Sequence, residues 1–84
     1  MSDPWAKLRV FLRHELRQLR LSAGLTQSEL ADRLNKPQSY VSKVESGDRS
    51  LDLIETREFC VACEKRFDRF VAHIEKKLAS GQLK

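Results

Sequence analysis

Leu8, Leu12, Leu16 and Leu19 recur at steps of four, four and three, one face of a helix, and Phe11 widens that face. Arg9, Arg13, Arg17 and Arg20 form a second stripe with the same period. These stripes predict a first helix from about Asp3 to Ser22. Asp3 before Pro4 reads as a cap-then-proline start, and Ala23-Gly24 as the stop, with Gly24 left-handed just past the helix. Thr26-Gln27-Ser28-Glu29 reads as a capping box that opens a short helix with Leu30, Ala31 and Leu34 inward. Asn35 tolerates left-handed geometry, and Pro37 disfavours helix in the residue before it, so this helix ends there. A third short helix spans about Gln38 to Ser46, with Val41 and Val44 inward and Gly47 as its stop. Asp52-Leu53-Ile54-Glu55 is a second capping box, opening a fourth helix to about Cys63.

Beyond Cys63 two readings stand. Cys60, Cys63, Phe67, Phe70 and Ile74 keep alternating steps of three and four with no Gly or Pro between them. One continuous helix from Asp52 to Ala79 would do this. The preferred reading breaks the chain near Glu64 to Phe67 and places a fifth helix from about Asp68 to Ala79. All apolar spacing is helical, so the expected fold class is all-α with five helices. The candidate core is Leu8, Phe11, Leu12, Leu16, Leu19, Leu30, Leu34, Val41, Val44, Leu51 and Ile54. Residues 1–4 and 80–84 read as frayed ends.

Composition narrows the class. An 84-residue chain has room for one core, so residues 1–84 form a single domain. With 40% hydrophobic and 33% charged residues it is neither a membrane protein nor a disordered tail. Three Gly and two Pro are too few for the turns of an all-β sandwich. No apolar run approaches the ~18 residues of a transmembrane helix. Met1-Ser2-Asp3-Pro4-Trp5 lacks an apolar signal core, so the chain is expected in the cytoplasm, with its two Cys reduced. Against 12 Asp+Glu stand 16 Lys+Arg, a net charge of +4. That balance admits a polyanionic partner without demanding one.

The arrangement of the second and third helices says more. Two short helices around a tight turn at Asn35-Lys36-Pro37, the second polar on one side, is the helix-turn-helix plan. Ala31 stands where the partner helix must come close. Val41 and Val44 anchor the third helix, leaving Gln38, Ser39, Ser42 and Lys43 outward, side chains suited to base edges or phosphates. On these residues the chain resembles the lambda repressor/Cro-like helix-turn-helix domains, the XRE family. Arg20-Leu21-Ser22-Ala23-Gly24-Leu25-Thr26-Gln27 and Glu29-Leu30-Ala31 resemble their opening. Pro37-Gln38-Ser39-Tyr40-Val41-Ser42-Lys43-Val44-Glu45-Ser46-Gly47 resembles their recognition helix, and Asp48-Arg49-Ser50-Leu51-Asp52 the segment after it. The match covers about Leu16 to Cys63. Asn35 departs from it where the family usually has Gly, and Glu64 departs where the fourth helix often ends in Gly-Val.

The resemblance implies roles. Gln38, Ser39, Ser42 and Lys43 would face bases in the major groove. Gln27, Lys36, Tyr40, Ser46 and Arg49 would contact phosphates. Arg20 and Glu45 would form an ion pair between the first and third helices. It further implies a sequence-specific transcriptional regulator, repressing by occupancy, with double-stranded DNA as its partner and a second copy of itself. A protein-interaction module of the same fold, an antitoxin or adaptor, is the alternative. The Arg9, Arg13 and Arg17 stripe reads as a solvated helix face rather than as DNA-binding surface.

Other constellations point to packing. Cys60-Val61-Ala62-Cys63 with His73 falls short of the four ligands of a structural zinc site, and both Cys lie on the core stripe, so no metal is expected. No Ser-His-acid, Cys-His or paired-carboxylate arrangement is legible, nor a Gly-rich phosphate loop. Neither an enzyme nor a cofactor or small-molecule ligand is therefore expected. Phe67, Phe70, Val71, Ile74 and Leu78 are more apolar surface than the core needs, and the expectation is that they form a dimer interface.

Overall fold

The computed structural model describes residues 3–81 and builds them from five helices with no strand among those residues: α1 (Ala6–Ser22), α2 (Gln27–Leu34), α3 (Gln38–Ser46), α4 (Leu53–Ala62) and α5 (Phe67–Ala79). Of the ends expected to fray, residues 1–2 and 82–84 lie outside the described residues. Asp3 and Pro4 are held in a turn, where the Trp5 N–H donates to Asp3 Oδ1 at 2.9 Å and the Ala6 N–H donates to the Asp3 carbonyl at 3.1 Å. Asp3 therefore closes a turn, and the helix begins at Ala6, later than its cap-like position predicts.

Both capping boxes form. Thr26 Oγ1 accepts from the Glu29 N–H at 3.0 Å while Glu29 Oε1 accepts from the Thr26 N–H at 2.8 Å. Asp52 and Glu55 repeat the exchange at 2.7 and 3.0 Å. The helix ends share one device too. In α1, α2 and α4 a left-handed residue lets two N–H groups turn back onto the last carbonyls. The residues are Gly24 at φ 73°, Asn35 at φ 58° and Glu64 at φ 57°. At the last of these, Lys65 donates to the Cys60 carbonyl at 2.9 Å and Glu64 to the Val61 carbonyl at 2.9 Å. The chain thus breaks between α4 and α5 as preferred, and α5 starts at Phe67.

Leu16, Leu25, Leu30, Val41, Val44, Phe59 and Phe70 form the core, with the small Ala31 letting α3 approach α2. Three expectations change. Leu8 and Ile54 are exposed, at 38% and 66%, while Phe59, absent from the expected core, is fully buried. α4 therefore turns Phe59, Cys60 and the adjoining Cys63 inward and leaves Leu53, Ile54 and Val61 in solvent. Phe70 is 3% exposed, so the middle of the expected dimer stripe belongs to the monomer's own core.

Cys60 and Cys63 are buried free thiols, and burial pushes each up to about 11. They are thus protonated, apolar fillers at neutral pH. α5 is fixed to α1 by a buried carboxylate: Glu15 Oε1 accepts from His73 Nε2 at 2.6 Å and from Lys77 Nζ at 2.9 Å.

Candidate nucleic-acid interface

Helix α3, the expected recognition helix, is positioned from beneath. Val41 and Val44, at 0% and 2% exposure, seat α3 on the core, and Pro37 in extended geometry gives it a sharp start. Gln38, Ser39 and Lys43 remain exposed on the outer side, while Ser42 is half-buried. Lys43 has no carboxylate partner among the described residues.

Arg20 locks this helix to α1. Its Nε and Nη2 donate to Glu45 Oε2 and Oε1 at 2.6 and 2.9 Å, and its Nη1 donates to the Leu25 carbonyl at 2.8 Å. The two side chains are 9% and 6% exposed. Hydrogen bonding to Glu45 raises the Arg20 guanidinium further, against desolvation, so it keeps its charge. A buried pair in which all three guanidinium nitrogens are engaged is a fixed strut.

The strut continues outward. Gln27 Nε2 donates to Glu45 Oε1 at 3.1 Å, and Gln38 Nε2 donates to Gln27 Oε1 at 2.7 Å. A candidate phosphate contact and a candidate base reader are thus one chain of hydrogen bonds running from the buried pair to the surface. The sequence named both ends without linking them.

Three other expected backbone contacts meet at Tyr40. Lys36 Nζ lies 5.4 Å and Arg49 Cζ 4.7 Å from its ring centroid, within cation–π range. Arg49 also donates to Glu55 Oε2 at 2.7 Å, which offsets part of its charge. Burial, with Glu55 nearby, raises the Tyr40 hydroxyl above its ordinary value, so it stays a donor. Ser46 serves the helix end: its Oγ donates to the Lys43 carbonyl at 3.1 Å.

One neighbour was not anticipated. Arg13, from the stripe taken as solvated, rests against Gly47 at the end of α3; a Cβ on Gly47 would fall 1.8 Å from Arg13 Nη1. The signal was available, since Arg13 precedes Arg20 by about two turns on one stripe, and Arg20 already faced α3.

The expected dimer stripe disperses. Phe70 is core, Phe67 and Ile74 pack partly against it, Leu78 is half-buried and Val71 is 47% exposed.

The Helix-turn-helix family model matches residues 16–68. The chain belongs to the XRE-type helix-turn-helix family. A solved structure, the XRE-family like protein from Pseudomonas syringae pv. tomato str. DC3000, is 40% identical, with a TM-score of 0.76 over 81% of this chain and 83% of that one. No curated protein matches this sequence. Membership of the XRE-type family makes the chain a DNA-binding helix-turn-helix regulator in general terms. None of the described helices is long and apolar enough to cross a membrane.

Proposed function

We propose that this XRE-type protein is a sequence-specific transcriptional repressor that binds double-stranded DNA as a homodimer in the cytoplasm, on the nucleoid. The observation that carries the reading is the contrast between the two sides of α3. Its inner side is fixed by Val41, Val44 and the buried Arg20–Glu45 pair, while Gln38, Ser39 and Lys43 stand exposed. A rigid helix with an exposed polar face suits insertion into a major groove.

In this reading Gln38, Ser39, Ser42 and Lys43 meet base edges. Gln27, Lys36, Tyr40, Ser46 and Arg49 meet phosphates and fix the angle of entry. Self-association runs along α5 through Val71 and Leu78 with the outer flanks of Phe67 and Ile74, while Phe70 supports that face from within. Two copies would read half-sites ~34–36 Å apart, and occupancy would block polymerase.

The test is selection of bound duplexes from random DNA, then affinity against salt, with sedimentation of the free protein. An enriched site with two half-sites, a steep fall of log affinity with log salt, and a dimer at micromolar concentration are expected. No enriched sequence and a flat salt response would instead favour the protein-interaction module.

A further inference from the structure

The first helix carries a second arginine to α3, and unlike Arg20 it arrives with its charge unspent. Arg13 Nη1 and Cζ would lie 1.8 and 2.8 Å from a Cβ on Gly47, so the guanidinium rests directly on the Gly47 backbone. Its neighbours in the groove between α1 and residues 47–51 include Asp3, Arg9, Arg49 and Ser50, around a volume of about 290 Å³. Arg9 is engaged by Asp3 at 2.9 Å and Arg49 by Glu55 at 2.7 Å. Arg13 has no carboxylate partner and no side-chain hydrogen bond among the described residues. It is held by packing against Gly47.

A guanidinium packed in place with no carboxylate partner of its own binds an anion without the cost of immobilising a loose side chain. The location selects the anion. A helix that enters the major groove by its N-terminal end leaves its C-terminal end and the next loop nearer the rim, where the sugar–phosphate backbone runs. Gly47 lies at that end, between Ser46 and Arg49. We propose that Arg13 is a DNA-phosphate contact, binding the backbone beside the bases that α3 reads. The proposal rests on the reading of α3 as the DNA-recognition helix. It moves the DNA-facing surface beyond the helix-turn-helix unit onto the first helix.

The competing role is a cation that stabilises the C-terminal end of α3 by its charge alone. The two roles separate in one experiment. Arg13→Gln, Arg13→Lys and Arg69→Gln are compared with the wild type on the selected site and on a random duplex, across a salt series, with thermal melts of each free protein. Arg69 is exposed on α5, which packs against α4, so its change removes the same charge away from α3. The expected result is that Arg13→Gln lowers the salt slope by ~0.9 for each bound protomer and weakens both duplexes by the same factor per protomer. Arg13→Lys should keep the slope, and Arg69→Gln should leave slope and affinity near wild type. A wild-type slope for Arg13→Gln, with only its melting temperature lowered, overturns the proposal in favour of the helix-end role. An equal loss in Arg69→Gln overturns it in favour of net charge. If the wild type binds with a steep slope and Arg13→Gln is silent, this proposal alone fails. If the wild type shows no salt-dependent DNA binding, the reading beneath it fails as well.

Discussion

Arg20 grips both oxygens of Glu45, at 2.6 and 2.9 Å, from the far side of a turn and a whole helix. Each charge is out of water only because the other is there. Removing one strands its partner, so Arg20→Met is expected to cost ~3–5 kcal/mol. The double change Arg20→Met with Glu45→Leu removes both charges and should recover much of that loss. Urea unfolding of the four proteins of this cycle measures the coupling. Equal and additive losses would show that the pair is not coupled.

Glu15 predicts a pH dependence that the interface residues do not. Burial alone would raise its carboxyl, but hydrogen bonds from Lys77 and His73 outweigh burial and hold it below the ordinary Glu value of 4.5. A carboxyl lowered in the folded state stabilises the fold fully above its unfolded value, and that contribution is lost as pH falls through the folded one. The docking of α5 on α1 should therefore weaken only below about pH 4.5. Glu15→Gln should lose about 1–2 kcal/mol at neutral pH, a modest figure because Lys77 and His73 are 36% and 48% exposed. Thermal melts from neutral to acid pH should show the two proteins converging as the wild type titrates. A constant gap at all pH values would disprove the role of the charge.

Most of this architecture was legible because local signals agreed with tertiary demands. Both capping boxes and the Asn35 stop formed where residue chemistry placed them, and Arg20 meets Glu45 as the family resemblance implied. Helical period alone could not fix which way each helix turned. Ile54 and Phe59 are both apolar on α4, and only packing against α2 and α5 shows that Phe59 is the one turned inward. Phe70 misled in the same way: an apolar stripe looks alike whether it meets its own core or a second chain. The surface chain from Glu45 through Gln27 to Gln38 was beyond reach, since it depends on side-chain orientations across separate helices.

Glu64 holds a left-handed conformation at φ 57° without the chemistry that favours it. Such a residue costs ~1–2 kcal/mol, whereas glycine adopts the geometry freely but gives up ~0.4–1 kcal/mol of unfolded-chain restriction. Glu64 is 80% exposed and only 3.8 Å from Arg33, a contact worth little. Glu64→Gly should therefore stabilise the fold by about 0.5–1 kcal/mol. Asn35→Gly, at φ 58°, should gain less because Asn already tolerates the conformation. Chemical unfolding of the two variants checks the order; a loss in Glu64→Gly would refute the strain.

The base-reading assignment predicts three different outcomes for three neighbours. Gln38 sits in the first turn of α3, the end directed deepest into the groove. Its Nε2 donates to Gln27 Oε1 at 2.7 Å, which orients the amide and leaves its Oε1 and a second N–H for a base such as adenine. Gln38→Ala should cost ~1–3 kcal/mol on the selected site and relax preference at one position. In this assignment Gln27 has two jobs, a phosphate contact and, through its hydrogen bond, the orientation of Gln38. Gln27→Ala should thus weaken every duplex and also blur the position that Gln38 reads. A Gln27 that only touched phosphate would leave selectivity intact. The Lys43 side chain has no hydrogen-bond or carboxylate partner among the described residues and lies about one and a half turns beyond Gln38. If it meets a guanine, Lys43→Ala should relax a second position; if it meets a phosphate, the loss should be uniform and the salt slope shallower. Binding of each variant to a panel of single-base changes at several salt concentrations distinguishes these cases. Unchanged selectivity in Gln38→Ala and Lys43→Ala together would remove α3 from the reading role.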